Sequence, residues 1–310
     1  MPVSITDLPA LDNRRVQTST EDVLVDRVVP GEILVIAFGF VSWETRPNFD
    51  FYGRLKKLEQ TSGHHLNKVL VRDSGNAWYH RKIAGLGDHP DETAATLRAL
   101  VAEIAPSKVI TIGQSMGAYA AVMYGLLLEA DSVIAFGPLS FLDVEQALLY
   151  HERRWLAVMR DLAHKPPASG YYDLARLPRG RTALHIAFGT RPDRPDATES
   201  VNLDAMHAHR LAALGNCTLY PYPYSGHPVV QHLIDTKRIN ALLARLIAGI
   251  EIAEEGMDVT PDWHGWIAEN LRRDGDPREL VAILQQHGFS HASSIAAVQR
   301  ETSRPIGDAV

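Results

Sequence analysis

The sequence predicts an α/β fold in which helices cover both faces of a mainly parallel central sheet. Short apolar runs bounded by turn residues recur along the chain, and the clearest of them is Ile33–Phe38, ILVIAF. A run of that length between turn signals is typical of a strand buried on both faces of a parallel sheet. Helix-like segments alternate with these runs, and such alternation indicates parallel strands joined by crossover helices. Residues 108–125 give the strongest example of a strand followed directly by a helix.

The first half of the chain follows this alternation after an irregular start. We expect an irregular lead-in over residues 1–15 and then two short strands, at 16–20 and 23–29. Pro30-Gly31 marks a turn into the strand at 33–38. The next predicted elements are a helix at 51–59, a strand at 68–71, a helix at 91–104 with Asp91 as its N-cap, and the strand that begins at Lys108.

The second half resumes the alternation after one interruption. A strand is predicted at 132–136. From about residue 141 to 181 the alternation of strands and helices is interrupted. The predicted elements after the break are a strand at 182–188, a helix at 204–214, a strand at 217–220 and a long helix at 229–252. Composition changes beyond residue 254, so we place the main domain at 1–254 and a small C-terminal unit at 255–310.

Residues 108–125, KVITIGQSMGAYAAVMYG, contain the candidate nucleophile. Alternating β-branched residues lead into the pentapeptide GQSMG, and helix-favouring residues follow it. The glycines on either side of Ser115 allow strand and helix to close around the serine without Cβ clashes. Ser115 is therefore the candidate nucleophile, and the alternative is an ordinary βα turn with a capping serine.

This G-x-S-x-G sequence between a strand and a helix resembles the nucleophile elbow of the α/β-hydrolase superfamily. The resemblance implies the α/β-hydrolase fold, with the insertion at about 139–180 forming a small cap over the pocket. It also implies an oxyanion hole made of two backbone N–H groups. One belongs to Met116, which follows the nucleophile, and the other belongs to Phe40, in the loop after the strand at 33–38.

His227 is the candidate base. A serine hydroxyl is a poor nucleophile near neutral pH, so a base must take its proton, and histidine has a suitable pKa. In the superfamily that the chain resembles, the order is serine, acid, histidine, with the histidine after the last strand. His227, within Gly226-His227-Pro228, follows the last predicted strand, at 217–220.

Several carboxylates are candidates for the acid that orients His227. Asp204 opens a D-x-x-H-A sequence that resembles a pattern in a subset of these hydrolases, and its spacing to His227 matches that subset. A helix N-cap is the alternative role for Asp204. Asp196, Asp193 and Glu199 lie just after the strand at 182–188, where the superfamily often places the acid. We favour Asp204 over Asp196 and place the other two behind them.

Aromatic residues in the loop after the strand at 68–71 are candidates for substrate binding. Ligands in open α/β sheets bind outside the carboxyl ends of the strands, where Trp78 and Tyr79 should lie. They are therefore candidates for a substrate wall. Packing of the loop onto the domain is an equal alternative.

Composition excludes several classes of function. The chain has 310 residues and a formal net charge of -6 without a basic run, which argues against nucleic acid as a partner. No apolar stretch approaches the length of a membrane span, and the N-terminus lacks an apolar signal segment. With Cys217 as the single cysteine, we expect a cytoplasmic location and no membrane partner. Histidine spacing does not suit a metal, and nucleotide-binding motifs are absent from the sequence, so we expect no cofactor.

The C-terminal unit should contain three helices. Trp263, Trp266, Ile267 and Leu271 form one apolar stripe, Asp276 begins a second helix, and a third carries Ile295 and Val298. Such a unit either stabilises the main domain by packing on it or serves as a docking module for a peptide or carrier partner.

Three functions follow from these features. The favoured one is a serine hydrolase that cleaves an ester, or less readily an amide or thioester, of a small-molecule or acylated substrate through an acyl-enzyme. The second is an acyltransferase or tailoring enzyme that uses the same triad. The third is a non-catalytic binding protein on a hydrolase scaffold.

Overall fold

A sheet of seven strands organises the part of the chain that a computed structural model describes. This part comprises residues 8–43, 45–164, 170–178, 180–191, 202–213, 215–223, 225–251, 263–273, 275–286 and 291–302. The strands are β1 (Val23–Val25), β2 (Ile33–Phe38), β3 (Leu66–Val71), β4 (Lys108–Gln114), β5 (Ser132–Phe136), β6 (Ala183–Gly189) and β7 (Cys217–Tyr222). They lie in the order β1-β3-β2-β4-β5-β6-β7, and β1 alone is antiparallel to its neighbour. The predicted α/β fold with a mainly parallel sheet is confirmed.

Helices cover both faces of this sheet. Because side chains alternate along a strand, Ile36 and Phe38 of β2 enter one core while Val35 and Ala37 enter the other. The first core includes side chains of α3 (Pro90–Ile104), α4 (Met116–Leu127) and α7 (Asp204–Ala212). The second includes those of α1 (Asn13–Thr18), α2 (Tyr52–Ser62), α8 (Val229–Asp235) and α9 (Ile239–Leu243). Between β5 and β6 the chain forms α5 (Val144–Leu149), α6 (Leu156–His164) and a 3₁₀ turn at Leu174–Arg176.

The strand order reverses direction between β2 and β4. The chain places β3 on one side of β2, and then returns to place β4 on the other. Phe38, the last residue of β2, pairs with Gly113 in β4. The segments that leave these two strands, which carry Phe40 and Ser115, are therefore neighbours at the carboxyl edge of the sheet. Such a switch point is where open α/β sheets bind ligands.

Three predictions for the first half of the chain are wrong. No strand forms at 16–20, and residues 16–18 belong to α1 instead, because the Asp12 carboxylate accepts the Arg15 N–H at 2.6 Å and caps a helix there. The second strand is only Val23–Val25, shorter than the predicted 23–29. The N-cap predicted at Asp91 is His89, because Pro90 occupies the first helical position, where its missing N–H is not needed.

The single long helix predicted at 229–252 is also wrong. The first helix of this region ends at Asp235, and Lys237 adopts a left-handed conformation with φ of 58°. That conformation cannot continue an α-helix, so the chain turns before α9 begins. A π-helical turn at Ala244–Ala248 follows and ends at Gly249, whose φ is 68°.

Three helices near the C-terminus form a core of their own. They are α10 (Trp263–Arg272), α11 (Pro277–Gln286) and α12 (His291–Thr302), as predicted. Trp266, Ile267, Leu280 and Leu284 are buried in this core. The domain boundary predicted at residue 254 lies outside the described residues. None of the helices described in the chain is long and apolar enough to cross a membrane.

Candidate active site

Ser115 occupies a sharp turn between β4 and α4. Its backbone has φ of 51° and ψ of −117°, which a residue with a Cβ rarely adopts. The turn requires glycine on both sides. A Cβ on Gly113 would lie 2.1 Å from the Gly117 carbonyl oxygen, and a Cβ on Gly117 would lie 2.2 Å from that of Phe38. The Ser115 N–H donates to the Phe136 carbonyl at 2.8 Å and fixes the turn on the neighbouring strand.

A chain of hydrogen bonds links Ser115 to a histidine and a carboxylate. Ser115 Oγ lies 2.8 Å from His227 Nε2, and His227 Nδ1 lies 2.7 Å from Asp204 Oδ2. The buried Asp204 carboxylate can only accept, so His227 Nδ1–H donates to it, and Nε2 accepts from the Ser115 hydroxyl. Gly137 gives the pair room, since a Cβ there would lie 3.1 Å from Asp204 Oδ2 and 3.3 Å from His227 Nδ1. The arrangement can activate a serine hydroxyl for attack.

The ends of three elements position the three groups. Ser115 precedes α4, Asp204 is the first residue of α7, and His227 lies after β7. Asp204 is not an N-cap, because Leu203 holds that position, and the Asp204 N–H donates to Asn202 Oδ1 at 3.0 Å. Asp196, Asp193 and Glu199 lie outside the described residues.

Asp204 has a second partner that the sequence did not reveal. Arg154, from the insertion between β5 and β6, donates from one terminal guanidinium nitrogen to Asp204 Oδ1 at 2.8 Å. Its other donors bind Glu152 at 2.6 to 3.1 Å, and Glu152 accepts a hydrogen bond from His207 at 3.1 Å. Asp204 and His207 are three residues apart and share one face of α7, which is the only sequence signal of this network.

Ionisation in this buried network is set by its charges. Burial alone would raise the pKa of Asp204, but the charges of His227 and Arg154 hold that pKa below its usual range. Burial would likewise raise the pKa of Glu152, and its hydrogen bonds with His207 and Arg154 lower it to about 2. Burial lowers the pKa of His207. Both carboxylates are therefore ionised near neutral pH.

The two predicted oxyanion donors have different surroundings. The Met116 N–H is at the N-terminus of α4, where the helix dipole favours negative charge, and it has no hydrogen-bond partner among the described residues. The Phe40 N–H donates to Asp50 Oδ2 at 2.9 Å, so in this structure it is already engaged. The ring of Phe51 stacks on Phe136 at 5.6 Å, which brings the Asp50 segment beside the strand that holds the Ser115 N–H.

Trp78 and Tyr79 lie close to this region and make different contacts. Both have positive φ and both are fully buried. The Tyr79 hydroxyl donates to the Gly39 and Val71 carbonyls, so Tyr79 supports the backbone that leads to Phe40, and its role in substrate binding stays a prediction. The Trp78 ring packs edge-on against Trp155 at 5.0 Å, and Trp155 lies 6.4 Å from the His227 ring. Trp78 and Trp155 therefore form an aromatic wall beside His227.

The strand order, the turn at Ser115 and the histidine after β7 give the chain the α/β-hydrolase fold that the resemblance implied. No protein-family model and no curated protein matches the chain.

Solved structures do show similarity to it. The chain is 16% identical to the Glycosylation Associate Protein (Gap123) complex from Streptococcus agalactiae, with a TM-score of 0.45 over 72% of this chain and 44% of that one. It is 13% identical to the capsule O-acetyltransferase of Neisseria meningitidis serogroup A, with a TM-score of 0.47 over 70% and 90% of the two chains. It is 18% identical to a thermophilic esterase from Thermogutta terrifontis, with a TM-score of 0.47 over 73% and 85%. The chain thus spans less than half the length of the first of these.

Proposed function

We propose that the protein is a serine hydrolase that cleaves an ester through an acyl-enzyme on Ser115. The observation that carries this proposal is the unbroken line of hydrogen bonds from Ser115 Oγ through His227 to the buried carboxylate of Asp204, at 2.8 and 2.7 Å. A base within hydrogen-bond reach of the hydroxyl, itself oriented by a third group, is the arrangement that nucleophilic acyl chemistry requires.

In the first half of the reaction, Ser115 Oγ attacks the ester carbonyl carbon while its proton passes to His227 Nε2. Asp204 stabilises the imidazolium that forms and keeps the ring in one tautomer. The Met116 N–H holds the oxyanion, and the Phe40 N–H is the second donor when the oxyanion takes the place of Asp50. His227 then gives the proton to the leaving alkoxide, which departs as an alcohol. In the second half, His227 Nε2 takes a proton from water as the water oxygen adds to the acyl carbon. The bond between that carbon and Ser115 Oγ then breaks, His227 returns the proton to Oγ, and the carboxylic acid leaves.

Acyl transfer to a hydroxyl acceptor is the second candidate, because an alcohol can attack the same acyl-enzyme in place of water. His227 Nε2, which lies 2.8 Å from Ser115 Oγ, would take the proton of either molecule. The Trp155 ring lies 6.4 Å from the His227 ring and is only partly buried, so it offers an apolar surface against which an acceptor would pack. Product analysis with and without added alcohols separates the two candidates.

Labelling with a fluorophosphonate probe tests the shared acyl chemistry. The wild-type protein should be modified at a single residue, and mass spectrometry of peptides should place the label on Ser115. Ser115→Ala should not be labelled. Equal labelling of the two proteins would contradict the assignment of the nucleophile. A folded wild-type protein that does not react would favour the third hypothesis, a binding protein on a hydrolase scaffold.

Asp50→Asn is expected to raise activity selectively above pH 7. Burial raises the pKa of Asp50 to about 7, despite the hydrogen bond from the Phe40 N–H that lowers it. Above that pH the carboxylate competes for the Phe40 N–H and repels the developing oxyanion, whereas below it Asp50 is protonated and neutral. Burial raises the pKa of Tyr79, its titratable neighbour, so Tyr79 stays neutral throughout this range. Asparagine keeps an acceptor for the Phe40 N–H without the charge.

The measurement is the ratio of kcat/KM between Asp50→Asn and the wild type across pH. We expect the ratio to rise about tenfold from about pH 6 to about pH 8.5. Asp88→Asn is the control, because Asp88 is an exposed carboxylate paired with Lys82. Its ratio to the wild type should stay flat. A flat ratio for Asp50→Asn as well would show that the Asp50 charge does not reach the oxyanion.

A further inference from the structure

The carboxylate of Asp204 is shared between the triad and the insertion that separates β5 from β6. His227 Nδ1–H donates to Oδ2 at 2.7 Å, and the Arg154 guanidinium donates to Oδ1 at 2.8 Å. Each oxygen therefore has one charged or potentially charged partner. Asp204 has no exposed surface. A buried carboxylate is unfavourable unless it is paired, and while His227 is neutral and acts as the base it provides only a hydrogen bond. Arg154 supplies the compensating charge.

Arg154 is itself held in a fixed orientation. Its Nε and one terminal nitrogen donate to the Glu152 carboxylate at 2.6 to 3.1 Å, which leaves the other terminal nitrogen for Asp204. The backbone N–H of Arg154 also donates to Glu152 Oε1 at 2.9 Å, so both the backbone and the side chain of Arg154 bind the same carboxylate. A planar guanidinium bound in this way to two carboxylates fixes the position of both.

Glu152 is anchored in turn from α7, the helix that carries Asp204. The backbone N–H of Ser140 donates to His207 Nδ1 at 3.0 Å, which makes Nδ1 the acceptor and leaves the proton on Nε2. His207 Nε2–H then donates to Glu152 at 3.1 Å. Glu152 and His207 are both fully buried. The insertion is therefore attached to α7 at two points, through Arg154 to Asp204 and through Glu152 to His207.

We propose that Arg154 is a positioning residue that holds the Asp204 carboxylate in the plane that His227 requires, so that docking of the insertion assembles the triad. This proposal rests on the proposed function. Trp155, the next residue, lies 6.4 Å from the His227 ring, so the segment that aligns the triad also forms part of the wall beside it. When the insertion is undocked, Asp204 loses its compensating charge and is free to rotate away from His227 Nδ1.

The test compares Arg154→Gln with Arg153→Gln. Both changes remove one positive charge and keep a similar side chain, but Arg153 is exposed and Arg154 is largely buried. Rates are measured on a chromogenic ester and divided by the concentration of active sites titrated with the fluorophosphonate probe. Arg154→Gln should lower kcat per titrated site by about 10- to 100-fold and change KM less than about twofold. Arg153→Gln should match the wild type.

A second readout separates positioning from a merely structural role. Arg154→Ala leaves a space of the shape of the lost guanidinium, and guanidinium chloride below its denaturing range should restore part of kcat. Sodium chloride at the same concentration should not. Equal kcat per site in Arg154→Gln and Arg153→Gln would overturn the proposal, and so would an Arg154→Ala variant that both salts affect equally.

Glu152→Gln decides the question if the Arg154 variants do not fold. It keeps Arg154 but removes the charge that orients it, and kcat per titrated site should fall about threefold or more. A rate equal to that of Arg153→Gln would overturn the proposal. The proposed function fails separately, and takes this inference with it, if the wild-type protein is not labelled. A labelled wild type with unaltered variants contradicts the positioning role alone.

Discussion

Replacement of His227 by alanine is expected to lower kcat/KM for ester cleavage by about 10⁴-fold or more, with KM almost unchanged. His227 Nε2 lies 2.8 Å from Ser115 Oγ, and it is the only hydrogen-bond partner of this hydroxyl among the residues that the structure describes. Without the imidazole, the serine must lose its proton to water, and the leaving group must depart without a general acid. The measurement is steady-state kinetics on a chromogenic ester.

A double variant makes the same experiment sharper. Ser115→Ala should lose about as much activity as His227→Ala, and the variant with both changes should be no worse than either, because the two residues act as one unit. His209→Ala is the matched control, since His209 is an exposed histidine on α7. It should stay within about twofold of the wild type. Losses that multiply in the double variant would mean that the two residues act independently.

Local sequence was sufficient to predict the parts of the site that depend on backbone shape. The turn at Ser115 needs glycine at 113 and 117 because a Cβ at either position would lie 2.1 to 2.2 Å from a backbone oxygen. The pentapeptide GQSMG has glycine at both positions, so the sequence alone shows that this requirement is met. Chain order was enough to propose His227 after the last strand, whereas Asp204 was favoured over Asp196 because its D-x-x-H-A sequence and its spacing to His227 resemble a subset of these hydrolases. The structure brings all three together.

Contacts between distant segments could not be predicted in this way. Arg154 and Asp204 are 50 residues apart, and the pairing of their charges depends on how the insertion folds back. Asp50 reaches the Phe40 N–H across a loop for the same reason. The helix at Asn13–Thr18 was missed because a single side-chain cap at Asp12 decided between helix and strand in a short segment with one buried residue, Val16.

Asp204→Asn is expected to lower kcat by about 10⁴-fold, although asparagine has the same shape as aspartate. Arg154 donates to the oxygen at the Oδ1 position and can only be satisfied by an acceptor. The carbonyl oxygen of the asparagine must therefore face Arg154, and its NH₂ group must face His227 Nδ1. An NH₂ donor there forces the imidazole to carry its proton on Nε2, where it cannot accept the proton of Ser115. The loss corresponds to about 5.5 kcal/mol of transition-state stabilisation.

Because Arg154 sets the orientation of the asparagine amide, the loss of kcat in Asp204→Asn should depend on Arg154, and a double variant measures that dependence. With Arg154→Gln in the same chain, the amide at position 204 is no longer held by a pure donor and can turn its oxygen toward His227. Arg154→Gln should therefore lower kcat by a smaller factor in the Asp204→Asn variant than in the wild-type protein. The two fold-reductions in kcat will then not multiply in the double variant. Asp161→Asn is the control for the amide itself, because Asp161 is 59% exposed in a surface ion pair with Arg81, and its rate should be that of the wild type. Activity within about tenfold of the wild type in Asp204→Asn would place the acid elsewhere, with Asp196, Asp193 and Glu199 as the next positions to replace.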